Sequence, residues 1–188
     1  KMEEVESDLI LLGMVSMIDP PRDEIPEAMA AAARAHIPVC IITGDNALTA
    51  TAIAIKAGLA KNADELKLVL GEELKVMDDD QVIHLINRGK VIFSRVAPED
   101  KLRIVELGKS AGRVVAVTGD GINDAPALKR ADIGVAMGNK GTEIAKAAAA
   151  LVITNDDLDK LIIGIEAGRR IYTNIKKAIQ YIISIHIP

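Results

Sequence analysis

The chain has 188 residues, 49% of them hydrophobic, with a formal net charge of −4. That is enough for one domain with a real core, and the charge balance lacks the general attraction to phosphate backbones that argues for a nucleic-acid partner. Aromatic residues make up only 2% and Trp is absent, so the core is expected to be aliphatic. The lone Cys40 excludes an internal disulfide. Inside an apolar run it reads as a small core residue of a reducing, cytosolic compartment.

The sequence opens at Lys1 rather than Met and shows no secretory leader, so the natural N-terminus is expected to have been cut away. A first apolar run, residues 9–18, ends at Asp19-Pro20-Pro21-Arg22. A helix is expected over 24–35, then a Val- and Ile-rich strand over 39–43 and a second helix over 47–57 closed by Gly58. Residues 61–80 are polar and mixed and predict a connection carrying one minor strand at 66–70. Further on, a helix over 79–87 precedes a strand at 91–93. A helix over 99–110, with Pro98, Glu99 and Asp100 in its first turn, precedes a strand at 114–118. Short apolar runs at 133–136 and 151–153 complete the strands. Alternation of this kind predicts an α/β domain in which a parallel sheet carries helices on both faces.

From 158 to about 187 the apolar residues Leu158, Leu161, Ile162, Ile165, Ile175, Ile179 and Ile182 recur at helical steps with no internal Pro. About 30 residues at 1.5 Å each make a rod of roughly 45 Å, longer than the core needs. Arg169, Arg170, Lys176 and Lys177 precede the final apolar stretch, a charge placement that suits either a membrane entry from the cytoplasmic side or an amphipathic helix with a solvated basic face. The stretch is far shorter than the roughly 20 residues that span a bilayer, and it is read as the beginning of a longer segment.

In parallel sheets, ligands sit beyond the carboxyl ends of the strands. Three clusters fall there: Thr43-Gly44-Asp45-Asn46, the stretch from Ser94 through Arg95 to Lys101, and Thr118-Gly119-Asp120-Gly121-Ile122-Asn123-Asp124. Asp120 and Asp124, flanked by glycines that admit a close ligand, make an oxygen site suited to Mg²⁺. Lys101 offers a point charge for phosphate and Thr43 a hydroxyl donor. Each cluster alone is an ordinary turn or helix cap. Together, hydroxyl, lysine and paired acids at three strand ends point to phosphoryl transfer.

These stretches, with Thr118 to Leu128 the most specific, resemble the signatures of P-type ATPases, a branch of the haloacid dehalogenase fold, and Asp19-Pro20-Pro21-Arg22 resembles the hinge returning from their nucleotide-binding domain. The resemblance covers nearly the whole chain. It implies a Rossmann-like haloacid dehalogenase fold with a long C-terminal stalk helix, and ATP and Mg²⁺ as cofactors. It assigns Thr43, Lys101, Asp120 and Asp124 to catalysis, Asp120 and Asp124 to the metal, and Thr43, Gly44, Asp45, Arg95, Lys101 and Asn123 to nucleotide contacts. Ala150 departs from the pattern, standing where the family carries an acid. The implied divisions are 1–18 as the end of the nucleotide-binding region, 19–157 as the phosphorylation domain, and 158–188 as stalk and start of a membrane helix.

The family's reaction uses an aspartate nucleophile in Asp-Lys-Thr-Gly-Thr, and that stretch does not occur in this sequence. The chain is therefore expected to be inactive alone, as one cytoplasmic part of a multi-pass membrane cation pump, calcium being the ion the hinge stretch most resembles. The nucleophile belongs to a central strand, so its absence leaves a gap between the strands ending at Thr43 and Thr118. Residues 9–18 are expected to fill it, or two chains to pair across it as a homodimer. Two other readings remain: a soluble phosphatase of the same superfamily, which would need an Asp-x-Asp nucleophile pair near the N-terminus, where none is present, and a non-catalytic module that keeps a phosphate pocket.

Overall fold

The computed structural model describes residues 10–15 and 20–186. Among them are six strands and eight α-helices, in the order α1 Ile25–Arg34, β1 Cys40–Thr43, α2 Ala47–Lys56, β2 Lys67–Leu70, α3 Gly71–Val76, α4 Asp79–Arg88, β3 Val91–Ser94, α5 Pro98–Ser110, β4 Ala116–Gly119, α6 Ala125–Arg130, β5 Ile133–Met137, α7 Glu143–Ala148, β6 Leu151–Ile153 and α8 Asp159–His186. Every expected strand from residue 39 onward is present, the minor one included.

Local chemistry sets the helix ends. The Asn46 side chain accepts from Thr49 N at 2.9 Å to open α2. Asp78 and Gln81 cap each other's backbone at 2.8 and 3.2 Å to open α4, a reciprocal box that satisfies two otherwise orphaned donors. Thr142 does the same service for α7 through Ala145 N.

The strands form two parallel three-stranded sheets, in the orders β1-β3-β2 and β4-β5-β6. In the first, Thr43, Ser94 and Leu70 lie in register, so all three strands end at one level. Strand β3 is buried on both faces: Val91 and Phe93 pack with Leu74, Val82 and Ile104 beneath α3, α4 and α5, while Ile92 packs with Ala50 and Ala54 of α2. Period-two alternation with both sides covered is why such strands read as unbroken apolar runs. The second sheet is closed on one side by α6 and α7, where Leu128, Ala136 and Ala145 meet. Helix α8 returns to the start of the chain, setting Ile162 against Ala28 and Ala32 of α1.

The gap expected between the strands ending at Thr43 and Thr118 is present, but its expected filling needs correction. Strands β1 and β4 are both edges of separate sheets. They border a mainly apolar cavity of about 430 Å³ lined by Ile41, Ile42, Val117 and Ile162 among others. Residues 10–15 form no strand and stand exposed, so that portion of the 9–18 run does not fill the gap; residue 9, residues 16–18 and Asp19 lie outside the described residues. Apolar content signals that a segment favours burial, but it does not name the ladder the segment joins. Among the described residues, no helix is long and apolar enough to cross a membrane; α8 carries charges along its length.

Candidate functional site

The site residues sit where the sheets end. Thr43 closes β1, and its hydroxyl oxygen accepts from Asp45 N at 3.1 Å. With an acceptor position used locally, the hydroxyl's own proton is left to donate outward. The Asp45 carbonyl accepts from Arg95 N at 3.2 Å and the Thr43 carbonyl from Val96 N at 3.3 Å, tying the first cluster to the second. Arg95 is held at φ 52°, a left-handed conformation that costs an L side chain of this kind about 1 kcal/mol or more. Gly71 makes that loop possible: a Cβ there would fall 2.2 Å from the Arg95 carbonyl oxygen.

The third cluster follows β4. Asp124, in the turn before α6, accepts from Gly121 N through Oδ2 at 3.2 Å and from Lys101 Nζ through Oδ1 at 2.7 Å. Both side chains of this pair are mostly buried, with 19% and 17% of their surface exposed. Lys101 lies in the first turn of α5, which leads from sheet one, so its bond to Asp124 crosses to sheet two. The Asp120 carbonyl accepts from Thr142 N at 2.8 Å, which leaves its carboxylate at the exposed rim beside the glycines. Gly119 has a steric reason to be Gly: its Cβ would lie 2.6 Å from Asp124 Cβ.

Thus the structure joins Thr43 to Asp45 through the Thr43 hydroxyl, Asp45 to Arg95 through the backbone, and Lys101 to Asp124 by an ion pair. Gly44 opens onto free space, and Asn123 is exposed in the turn that carries Asp124. The chemistry of Asp120 and Asp124 fits Mg²⁺, which takes one or two protein carboxylates and completes its shell from water and phosphate. Among the described residues no cluster of three or more acids, histidines or cysteines could hold a metal unaided.

Burial pushes the Cys40 thiol up to about 11, against a smaller opposing contribution from its bond to the Val91 backbone. This is the profile of an inert core thiol rather than a nucleophile.

One polar centre escaped the sequence reading. Asp156 is buried at φ 58° and accepts from Asn139 N and Lys140 N at 2.8 and 3.0 Å. Arg22 lies 3.5 Å from its carboxylate and donates to the carbonyls of Asn155 and Asp156. Burial alone would raise its pKa, but these backbone donors and the Arg22 charge outweigh it and hold the carboxyl below the usual range. The partners lie 134 positions apart, beyond the reach of any local motif.

A parallel α/β scaffold with hydroxyl, ammonium and carboxylates at its strand ends is the build of a hydrolase domain. A profile of haloacid dehalogenase-like hydrolases matches residues 2–132, and the chain belongs to that family. Over nearly its whole length it is also similar to ATP-driven cation pumps. It is 43% identical to calcium-transporting ATPase 1 of Bacillus cereus over 97% of this chain and 20% of that protein. It is 46% identical to an endoplasmic reticulum-type calcium-transporting ATPase 4 of Arabidopsis thaliana over 97% and 17% respectively. With the sodium/potassium-transporting ATPase subunit alpha-4 of Rattus norvegicus it shares 39% over 96% and 20%. The chain spans about a fifth of the length of these relatives.

Proposed function

We propose that the chain is the phosphorylation-domain portion of an ATP-driven cation-transporting P-type ATPase that works through an aspartyl-phosphate intermediate. The observation that carries this reading is the Lys101–Asp124 bond at 2.7 Å. It sets a phosphate-binding cation against a metal-binding carboxylate at the carboxyl ends of the strands. Thr43 and Lys101 would contact the transferred phosphoryl group. Asp120, supported by Asp124, would hold Mg²⁺, which supplies charge neutralisation for that group. Gly44, Asp45, Arg95 and Asn123 would contribute to nucleotide contacts.

The division at residues 18 and 157 belongs to this reading, with α8 as the stalk and the parent protein multi-pass in a membrane, this portion on the cytoplasmic side. Identity is higher to the calcium-transporting relatives, at 43 to 46%, than to the sodium/potassium relatives, at 38 to 39%, which favours calcium as the transported ion. The open edges of β1 and β4 support a homodimer of the isolated chain, which light scattering across a concentration series would detect.

The chain is expected to bind Mg²⁺ together with inorganic phosphate in calorimetry, with the heat lost in Asp120→Asn and Asp124→Asn. It is also expected to take up no acid-stable label from radiolabelled ATP, because the nucleophile stretch is not in its sequence. Steady hydrolysis of p-nitrophenyl phosphate by the chain alone would favour the soluble phosphatase reading instead.

A further inference from the structure

Two acids that follow the outer strands of the second sheet flank a single loop. In the order β4-β5-β6, Asp120 follows β4, residues 138–142 follow the central β5, and Asp156 comes shortly after β6. Gly119 pairs in register with Ala136, and Met137 with Ile153, so the three segments leave the sheet side by side. Asp120 is exposed at the rim, whereas the Asp156 side chain keeps only 2% of its surface. The chemistry proposed above uses the first acid and leaves the second without a role.

Asp156 grips the loop on one flank. Its Oδ1 accepts from Asn139 N at 2.8 Å and its Oδ2 from Lys140 N at 3.0 Å. Gly138 N donates to the Ile153 carbonyl at 2.8 Å, which fixes the start of the loop to the end of β6. On the other flank, Thr142 N donates to the Asp120 carbonyl at 2.8 Å, while the Thr142 hydroxyl caps α7 through Ala145 N at 3.2 Å. Between these two grips the loop has little room to give. Gly141 is buried, and a Cβ there would collide with the Met137 carbonyl oxygen. A displacement at Asn139 and Lys140 is therefore passed to Thr142, and from Thr142 to the backbone of Asp120.

A purely structural tie needs no charge at this position. Asn also tolerates a left-handed backbone such as the φ of 58° held by Asp156, and its amide oxygen accepts without the desolvation of a carboxylate. The carboxylate adds a simultaneous hold on two successive amides and an attraction to Arg22, whose Nη2 lies 3.5 Å from Oδ2. Arg22 also donates to the carbonyls of Asn155 and Asp156, so it fixes the backbone that carries the acid. Charge-assisted bonds are stronger than neutral ones, and a metal carboxylate is held to its geometry by the groups behind it.

We propose that Asp156 and Arg22 are positioning residues for the Asp120 carboxylate, acting through the 138–142 loop. The role rests on the phosphate-site reading for its metal, and both residues act at one remove from metal and phosphate. Such coupling is reciprocal, so Mg²⁺ bound at Asp120 would in turn tighten the loop on Asp156 and on Arg22, which enters the domain ahead of α1.

The test joins two measurements on the full chain: calorimetry of Mg²⁺ in the presence of inorganic phosphate, and amide NMR of the metal-free chain. Asp156→Asn is expected to weaken Mg²⁺ binding about fivefold, and Arg22→Ala to weaken it less, with recovery in Arg22→Lys. Affinity for phosphate without Mg²⁺ is expected to stay within about twofold, since Thr43 and Lys101 lie in other clusters. In the metal-free chain, Asp156→Asn is expected to shift the amide resonances of Thr142 and Gly121, across the loop from the substitution. Should Asp156→Asn fail to fold, Arg22→Ala and Arg22→Lys carry the same measurements. A folded variant with a lowered urea midpoint but the parent's Mg²⁺ affinity, or with the Thr142 and Gly121 amides unmoved, would make Asp156 a structural tie and overturn the proposal. If the unsubstituted chain binds no Mg²⁺, the phosphate-site reading fails, and the amide shifts alone decide whether Asp156 positions Asp120.

Discussion

Replacing Gly119 with Ala tests how tightly the third cluster is built. The new methyl would sit 2.6 Å from Asp124 Cβ and 2.9 Å from its Cγ, well inside van der Waals contact. Overpacking of this size costs about 1–3 kcal/mol, and the lower entropy of the unfolded Ala chain returns about 0.4–1 kcal/mol of it. The net expectation is a destabilisation of about 1–2 kcal/mol. With an m-value of about 2 kcal/mol/M, that lowers the urea midpoint by roughly 0.5–1 M. The three nearest atoms all belong to Asp124, so in an Asp124→Gly background the same substitution is expected to cost nothing and to keep the gain of about 0.4–1 kcal/mol from the unfolded chain, giving a coupling of about 1–3 kcal/mol in the double-mutant cycle. A Gly119→Ala chain as stable as its parent, or an equal cost in both backgrounds, would refute the reasoning.

The Ser94 hydroxyl is fully buried with no hydrogen-bond partner among the described residues, so Ser94→Ala is expected to stabilise the chain by about 1 kcal/mol, read as a raised urea midpoint. Arg95→Gly releases a left-handed backbone and is expected to gain up to about 1 kcal/mol of stability, while weakening ATP binding in calorimetry if Arg95 contacts nucleotide. Asp156 titrates below the usual carboxylate range, as do Asp132, chiefly through its bond from the Val115 backbone, and Glu65, chiefly through its bond from Lys90. A depressed carboxyl contributes stability that is fully present above its unfolded value near 4 and is lost as pH falls through the lower folded value. Urea midpoints are therefore expected to be flat between pH 6 and 5 and to drop below pH 4, less steeply in Asp156→Asn.

The strands were legible because β3 and β5 are buried on both faces and leave short apolar runs. Helices α1, α2, α4, α5 and α8 were legible from their periodicity and end signals. Helices α3, α6 and α7 were not, since six residues each give less than two turns for a pattern to show. Thr43, Lys101 and Asp124 could be singled out because strand ends are where ligands bind in this architecture. The closure of Lys101 on Asp124 across 23 positions could not, and neither could the burial of Asp156 under Arg22. The gap between the strands ending at Thr43 and Thr118 was expected from the missing nucleophile stretch, but the failure of residues 10–15 to fill it was not legible: side-chain pattern reports burial, whereas pairing is decided by distant partners.

That split also sets an order of assembly. Every ladder of the first sheet closes within residues 40–94 and every ladder of the second within 116–153, so each half can condense from nearby chain. The contact of α8 with α1 must instead close a loop of about 130 residues, the most entropically expensive step in the domain. Pulse-labelled hydrogen exchange should therefore find the amides of β3 and β5 protected early and together with their own halves, and those at the α1–α8 seam last.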